Sequence, residues 1–438
     1  MKRGAIFLIG LVLVVLALGQ DSLPYSRDIE DLELMRVMGI DQGEKTEDGL
    51  KVTMVGGDQS TGKEGESQKP VALSQEAATL SKACTIMKSY GEKFISYGHI
   101  TQCLVGEEAA GRDLVQLLDY YERDIELRLN APLYIVRGGT AGEVLEGGGE
   151  EEGGTVIKRL ESIEIDTQFQ SDTSTRTVKD VLGQLSENGC ALVPALTLME
   201  EGETGENGAG QQGQGGQGSG GSDAQGQGES GGGAASPAQG EQQEGGEASQ
   251  GQEETKKTIQ TAGYAVFREN RLTGFLEEGE ARGANFLMDE IYGGILELEL
   301  KDGSLVSVQL LDSHCEWHPG FRKDGSLERL TAELKVEGSL NEIMGNADPM
   351  DKAVLDEMEA QAEEQIRQMA AGVLARSQEE RTDFLHLKRT IGVLRPDRWY
   401  QLQEEWETVF PDLDWRVEVT MHLRRTYDVD RPLEGGNT

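Results

Sequence analysis

Four side chains of metal-binding type lie close together in the C-terminal half of the sequence. They are Asp312, His314, Cys315 and His318, and zinc takes carboxylate, imidazole and thiolate ligands in proteins. In a strand, however, His314 and Cys315 point to opposite faces. A second pair of Cys or His ligands is not evident. We therefore expect no metal here, but polar, solvated side chains at a strand end.

Residues 57–63, Gly-Asp-Gln-Ser-Thr-Gly-Lys, match most of a phosphate-binding P-loop and follow a predicted strand. The motif needs Ser or Thr next, because that hydroxyl ligates magnesium. This chain has Glu64, whose carboxylate repels phosphate, and Gly65 and Pro70 interrupt any following helix. The segment therefore predicts a flexible loop and no nucleotide binding.

A second glycine motif, Gly-x-Gly-x-x-Gly, stands at residues 208–213. A dinucleotide site needs a strand before this motif and a helix after it. Neither is predicted in so Gly-rich a segment, so we interpret the match as chance. With both glycine motifs set aside, the sequence predicts no cofactor.

The five histidines are spread over the chain and form no catalytic pattern. His99 lies in an otherwise apolar stretch, which favours a satisfied core residue over a catalytic base. No Ser-His-Asp or Cys-His arrangement can be placed, and the Gly-x-Ser-x-Gly motif of hydrolases does not occur. The sequence therefore predicts a protein that is not an enzyme.

The four cysteines, Cys84, Cys103, Cys190 and Cys315, lack Cys-x-x-Cys spacing. In an exported chain one pair could form a disulfide, for example Cys84 with Cys103. Buried free thiols are the alternative, since four cysteines in a chain of this length do not make a disulfide-rich scaffold.

A charged segment follows a predicted helix over residues 113–121. It contains Arg123, Asp124, Arg128 and Asn130. These side chains form either a structural ion-pair network or a surface that contacts a partner protein. We take these four residues as the candidate functional site of the sequence, and the function we expect of them is to contact a partner protein.

The elements around these residues predict an α+β protein with several domains of mixed α/β structure. Strand and helix patterns alternate within residues 21–199, which indicates a mixed α/β domain. Here residues 30–38 favour a short helix or turn, and Ser74 favours the N-cap of a helix that ends near Tyr90. Strand and helix patterns are segregated within residues 259–433, which indicates an α+β domain.

Residues 200–258 lie between these two parts and are rich in Gly, Gln and Glu. This composition predicts a disordered linker. Residues 200–254 contain 19 Gly, 11 Gln and 11 acidic residues, and no Lys or Arg. Such a composition has almost nothing to bury and cannot offset the entropy of ordering. The net charge of the whole chain is −38, which argues against nucleic acid partners and against attraction to anionic lipid.

Residues 1–20 indicate export. Lys2 and Arg3 precede a short apolar run, as in a secretory signal or N-terminal anchor. As a helix the run spans about 20 Å, which is short for a bilayer core of about 30 Å. The small residues Ala17 and Gly19 favour cleavage just before Gln20. Cleavage would release the chain, whereas the uncleaved run would be a marginal anchor.

The order of several sequence blocks resembles the Ger(x)C family of spore germination proteins, which are usually lipid-anchored. One block carries the family pattern of hydrophobic, Arg-Asp, acidic and Arg-hydrophobic-Asn residues, here at 121–130. The family carries a cysteine after the small residues of its signal segment, but this chain has Gln20. Lipid attachment at that position is therefore excluded. The matching blocks are residues 27–32, 38–41, 98–108, 121–130, 263–267, 272–276, 280–283, 293–294, 406–413 and 424–426.

The resemblance implies a non-enzymatic subunit of a nutrient germinant receptor on the outer face of the spore inner membrane. Its implied partners are membrane-embedded receptor subunits, one of them transporter-like, to which nutrient binding is mainly attributed. The chain would then act in assembly and signalling. The alternative is an extracytoplasmic solute-binding protein that captures a nutrient directly.

Overall fold

The computed structural model describes residues 32–45, 49–56, 71–89, 93–147, 156–167, 169–200 and 257–424. These residues form two β-sheets and ten α-helices. The export segment, both glycine motifs and nearly all of the predicted linker lie outside them.

The first sheet is built mainly from the N-terminal part of the chain. Its strands are β1 (Leu32–Gln42), β2 (Leu50–Gly56), β3 (Val71–Ala77), β4 (Phe94–Ser96), β5 (Gln102–Gly106), β6 (Leu133–Val136), β7 (Cys190–Glu200), β8 (Lys257–Arg268) and β9 (Arg271–Leu276). Their order is β3-β2-β1-β5-β6-β7-β8-β9, with β4 beside β1. β5 pairs in parallel with β1 and β6, so helical connections cross the sheet faces, as parallel pairs require.

Helices cover both faces of this sheet and give it two apolar cores. Met38 and Ile40 of β1 belong to one core, and Val37 belongs to the other. Gly39 lies where helix and strand approach closely, because a Cβ atom there would be 2.9 Å from the Ala141 Cβ. The helices are α1 (Leu80–Met87), α2 (Glu107–Ala110), α3 (Leu114–Arg123), α4 (Ala141–Gly147), α5 (Val156–Asp166) and α6 (Val178–Asn188).

Two local predictions for this part are wrong. The region predicted as a helix or turn, residues 30–38, is strand from Leu32 onward, because β1 pairs with β2, β4 and β5. Ser74 does not cap a helix but lies within β3, opposite Thr53 of β2. The helix begins at Leu80 instead, where the Thr79 side chain accepts a hydrogen bond from the Lys82 N–H.

The first strands after residue 256 join the same sheet. β8 and β9 form a hairpin around Glu269 and Asn270, whose φ angles are 51° and 64°. Two consecutive positive φ angles are the geometry of a tight two-residue hairpin turn. The hairpin therefore connects the C-terminal part of the chain to the N-terminal sheet.

The second sheet packs against one long helix. Its strands are β10 (Ile295–Glu299), β11 (Leu305–Phe321), β12 (Leu327–Met344) and β13 (Asp414–Arg424), in that order. The helices of this part are α7 (Glu278–Met288), α8 (Lys352–Glu379), α9 (Leu387–Leu394) and α10 (Trp399–Val409). Met358, Ile366 and Val373 of α8 are buried in its core.

Helix α8 also covers the edge strand β13. The Glu363 carboxylate accepts a hydrogen bond from the Met421 N–H, and the Glu359 carboxylate accepts one from the Leu423 N–H, each at 3.0 Å. At the other end of β13, the Gln378 amide donates to the Leu413 carbonyl at 2.9 Å. A helix over a sheet edge blocks pairing with further strands.

The predicted α+β class is confirmed, with mixed α/β structure in the N-terminal part. Among the helices that the described residues form, none is both long and apolar enough to cross a membrane.

One carboxyl group predicts how stability varies with pH. Asp383 accepts hydrogen bonds from the N–H groups of Leu387 and Lys388 at 2.8 Å, which fixes the start of α9. Burial raises the pKa of Asp383 to about 7, whereas an unfolded Asp releases its proton near pH 4. The stabilisation from this group is therefore full at low pH and is lost as pH rises through 7.

We expect the stability advantage of the wild type over Asp383→Asn to be about 1–2 kcal/mol larger at pH 5 than at pH 8. Urea unfolding of both proteins at the two pH values measures it. The neighbouring His386, whose pKa burial lowers to about 4, acts in the opposite direction but is present in both proteins. An advantage that grows with pH would contradict the prediction.

Candidate functional site

The predicted partner segment lies on the surface between α3 and β6. Arg123 is exposed at the end of α3, where its Nε donates to Asp119 at 2.6 Å. Asp124 is half-buried and accepts the Glu126 N–H at 2.8 Å. Arg128 and Asn130 are exposed. Three of the four residues are thus exposed, and no ion-pair network joins Arg123, Asp124 and Arg128 in the described part of the chain.

The backbone of this segment is held firmly. The Glu126 carboxylate accepts the Lys88 ammonium at 2.9 Å and the Tyr97 N–H at 3.3 Å. Leu127 is buried. The Leu129 carbonyl accepts the Lys179 N–H of α6 at 2.9 Å.

Within this fixed segment, Ile125 is fully exposed, although sequence reasoning did not single it out. A preorganised segment loses little conformational freedom when a partner binds. We call the displayed side chains of Ile125, Arg128 and Asn130 the 125–130 surface.

A groove of about 560 Å³ lies beside α3 and ends at Arg123. Most of the residues that line it have polar side chains, among them Thr79, Ser81, Gln116 and Arg112. The size falls within the range of small-molecule sites, although such sites are usually lined by apolar groups.

The cluster of metal-binding residue types is divided by the sheet. His314 and His318 lie exposed on one face of β11, whereas Cys315 is half-buried on the other. The His314 Nδ1 lies 3.1 Å from Asp289, and the His318 Nε2 lies 3.1 Å from Glu333. The residues of the motif are therefore not brought together as one ligand set.

A different trio, Glu316, His318 and Glu333, does converge, with ligand atoms within 4.8 Å of one another. The Lys335 ammonium already lies 3.2 Å from Glu333 and 3.5 Å from Glu316. A fixed positive charge at this distance opposes a second cation. The absence of a metal site stays a prediction.

The expectation of a core His99 is wrong. His99 lies exposed in the turn between β4 and β5. The apolar residues around it, Tyr97 and Ile100, are fully buried. The apolar pattern therefore predicted the burial of these neighbours correctly, but not that of the histidine.

The four cysteines are free thiols, and the Cys84–Cys103 disulfide considered from the sequence is not formed. Cys84, Cys103 and Cys190 are buried, and burial raises the pKa of each thiol to about 12. Such thiols are protonated at neutral pH, and the thiolate is the reactive form of cysteine.

Sequence reasoning missed a buried polar network around Tyr264 of β8. The Tyr264 hydroxyl lies 2.6 Å from the Asn285 Oδ1 and 2.9 Å from the Ser174 Oγ. Ser174 donates to Glu290 at 2.6 Å, and Arg176 donates to the same carboxylate at 2.6 Å. Residues 171–176 form a polar run in the sequence, which is a loop signal and gives no hint of burial.

Comparisons with known proteins cover most of this fold. The family model for the spore germination protein N-terminal domain matches residues 25–198. The family model described as spore germination B3/GerAC like, C-terminal, matches residues 262–427. Among the curated proteins, none has a matching sequence.

The crystal structure of the GerBC protein has a similar fold, with a TM-score of 0.50 and 16% sequence identity. The match covers 88% of this chain and 96% of that chain. With two family models that together match most of its length, the chain belongs to the Ger(x)C family of spore germination proteins.

Proposed function

We propose that this chain is a non-enzymatic, exported subunit of a spore germinant receptor. It acts in receptor assembly and in nutrient-triggered signalling at the outer face of the spore inner membrane. Family membership supports a role in spore germination. The 125–130 surface is the observation that supports a role in receptor assembly.

The backbone of this segment is fixed, whereas the side chains of Ile125, Arg128 and Asn130 are exposed and available to a partner. The buried centre of a protein interface is more apolar than its rim, and arginine is enriched among the residues that dominate binding. Ile125 leaves its whole side chain in water in the isolated chain, and covering it with a partner recovers that apolar area. Arg128 adds a positive charge on the surface of a chain with a net charge of −38, which favours an acidic partner contact.

The proposed partners are membrane-embedded receptor subunits, one of them transporter-like, which bind the nutrient. The chain needs no cofactor, nucleotide or nucleic acid for this role. With Gln20 in place of the family cysteine, it is not lipid-anchored at the usual position.

We expect Ile125→Asp combined with Arg128→Glu to reduce capture of the membrane-embedded subunits by about tenfold or more, because it buries a charge and reverses another. Affinity capture of the tagged chain from spore membranes, with mass spectrometry of the captured proteins, measures this. Spores that carry the variant should also germinate more slowly on the nutrient.

Ile165→Asp is the matched control, because Ile165 is also more than half exposed but lies on α5. It should leave capture unchanged. If the 125–130 variant has a normal unfolding transition and captures the subunits as well as the wild type does, this surface does not contact them.

The second candidate function is an extracytoplasmic solute-binding protein, and the groove at Arg112 and Arg123 favours it. Guanidinium groups suit the carboxylate of a nutrient, which would have to replace Asp119 as the partner of Arg123. Calorimetric titration of the purified chain with amino acids and sugars separates the two functions. Saturable heat that Arg123→Ala abolishes would support direct capture, whereas the receptor role expects none.

A further inference from the structure

Helix α8 lies beside both edges of the second sheet but covers only one of them. At β13 its carboxylates accept N–H groups of the strand, whereas at β10 a groove of about 430 Å³ lies between strand and helix. The groove is lined by Glu297, Leu298 and Glu299 of β10, and by residues of α8 from Glu357 to Gln368. This stretch of helix is about 16 Å long, which is the length of about five residues of strand.

The backbone of β10 directs every second pair of hydrogen-bonding groups toward this groove. The backbones of Gly294 and Leu300, which flank β10, hydrogen-bond on the β11 side at 2.8 and 2.9 Å. Bonded and free positions alternate along an antiparallel pair, and the register of β10 with β11 has no shift. The residues at odd positions, Ile295, Glu297 and Glu299, therefore point their N–H and C=O groups away from β11.

Contacts at the two ends of this free edge agree with that direction. The Ile295 carbonyl accepts a hydrogen bond from the Arg282 guanidinium at 3.3 Å. Lys301, just after β10, donates its N–H to a carboxylate of α8 at 2.9 Å. Between these two ends, the N–H and C=O groups of Glu297 and Glu299 have no partner among the described residues. These backbone groups are thus open to a further strand.

The groove is acidic, also when the cations around it are counted. The charged residues that line it are Glu297, Glu299, Lys301, Glu357 and Glu364. The nearby cations Arg282, Lys352 and Arg367 are each paired with a carboxylate, that of Glu278, Asp356 or Glu364. Asp302 and Glu342 add negative charge beside the groove. Glu297 and Glu299 take part in no ion pair within the described ranges, so their charges remain available to a ligand.

An extended basic segment fits such an edge. A strand that pairs antiparallel with β10 exchanges two hydrogen bonds with each of Glu297 and Glu299. Residues directly opposite these glutamates lie on the same face of the sheet, where lysine or arginine forms a favourable cross-strand pair. The residue between them lies on the face of Leu298 and meets the flank of α8, where Gln361 and Gln365 offer polar contacts. A second copy of β10 fits poorly, because like charges opposite each other are destabilising.

We propose that the groove between β10 and α8 binds an extended basic segment of a partner protein, which joins the second sheet as a fifth strand beside β10. The segment carries lysine or arginine at two alternate positions, opposite Glu297 and Glu299. This inference goes beyond the proposed function, because it concerns a surface other than the 125–130 surface and does not depend on the receptor role.

The first test titrates the purified full chain with a capped, fluorescein-labelled heptapeptide, Thr-Lys-Thr-Lys-Thr-Lys-Thr. We expect saturable binding by fluorescence anisotropy. The same peptide with backbone N-methylation at its three lysines keeps its charge but cannot donate to the carbonyls of Glu297 and Glu299. It should therefore bind about tenfold or more weakly. Equal binding of the two peptides would indicate general attraction to an acidic chain and would overturn the proposal.

Hydrogen exchange locates the bound peptide. We expect amide exchange in β10 to slow by about tenfold or more at saturating peptide, because the N–H groups of Glu297 and Glu299 become hydrogen-bonded. Exchange in β13, whose Met421 and Leu423 N–H groups are already bonded to α8, should not change. Peptide binding without added protection in β10 would rule the proposal out. Protection of β10 without peptide, in a chain that sediments as a dimer, would assign the edge to a second copy instead.

Glu297→Lys combined with Glu299→Lys should weaken binding of the lysine peptide by about tenfold or more, because both cross-strand attractions become repulsions. The matched control is Glu404→Lys combined with Glu405→Lys. It makes the same change of charge at two exposed positions of α10 that do not line the groove, and it should bind as the wild type does.

Equal weakening by the two double variants, each with a normal urea unfolding transition, would contradict a site at β10. The capture of receptor subunits through the 125–130 surface is measured independently of these titrations. The two proposals therefore fail separately.

Discussion

Replacing Arg176 with methionine should lower the free energy of unfolding by about 3–5 kcal/mol. The Arg176 side chain is only 11% exposed and its partner Glu290 is 22% exposed. Arg176 donates to Glu290 at 2.6 Å and to the Ser174 Oγ at 2.8 Å. Without the guanidinium, a largely buried carboxylate keeps its charge but loses its main compensating partner. Urea unfolding followed by circular dichroism measures the loss.

Arg367→Met is the matched control. Its guanidinium also pairs with a carboxylate, that of Glu364, here through two hydrogen bonds, but both groups are about half exposed. Water screens such a pair, and we expect a loss of at most about 1 kcal/mol. The double variant Arg176→Met with Glu290→Met should recover part of the loss, because no unpaired charge remains. Equal losses for Arg176→Met and Arg367→Met would show that the buried network contributes no special stability.

Replacing Asp41 with alanine should cost a comparable amount, about 3–5 kcal/mol. Asp41 is 2% exposed at the end of β1. Its two carboxylate oxygens accept hydrogen bonds from the N–H groups of Ala141 and Gly142 at 2.6 and 2.9 Å. These N–H groups begin α4, and alanine would leave both of them buried without a partner. Thermal and urea unfolding of the variant check the prediction.

The same helix start offers a control for Asp41. Glu143 accepts the Thr140 N–H at 2.9 Å, but at an exposed position. Glu143→Ala should therefore cost only about 1 kcal/mol, because water replaces the lost partner. An Asp41→Ala variant as stable as Glu143→Ala would show that α4 does not depend on its attachment to β1.

Local sequence patterns predicted elements whose burial has a clear period. β13 alternates in sequence and in burial, with Met421 and Leu423 buried and His422 exposed between them. The pattern was insufficient for β1, where Met35 and Met38 are three residues apart as in a helix. Both belong to the same core, because β1 has a register shift between Met35 and Val37, and residues on either side of such an irregularity no longer alternate strictly between the two faces. Such pairing depends on distant strands and leaves no local period.

In the candidate site, too, some features could be predicted from local sequence and others depend on tertiary contacts. Residues 121–130 were singled out by charge and by their family pattern, and Arg123, Arg128 and Asn130 are indeed exposed. Ile125 was missed because a lone apolar residue in a charged segment gives no signal about its exposure. The network of Ser174, Tyr264 and Glu290 could not be predicted from the sequence either, because its members come from separate parts of the chain and meet only through tertiary contacts.

The junction between β7 and β8 has a consequence for how this chain can change during evolution. β7 ends at Glu200, β8 begins at Lys257, and the two strands are hydrogen-bonded neighbours. Strand pairing therefore fixes the distance between these two ends, whatever sequence lies between them. Doubling the length of such an insertion costs only about 0.6 kcal/mol in loop-closure entropy. Flexible insertions between these strands can thus change greatly in length at little cost in stability, while the first sheet keeps its register.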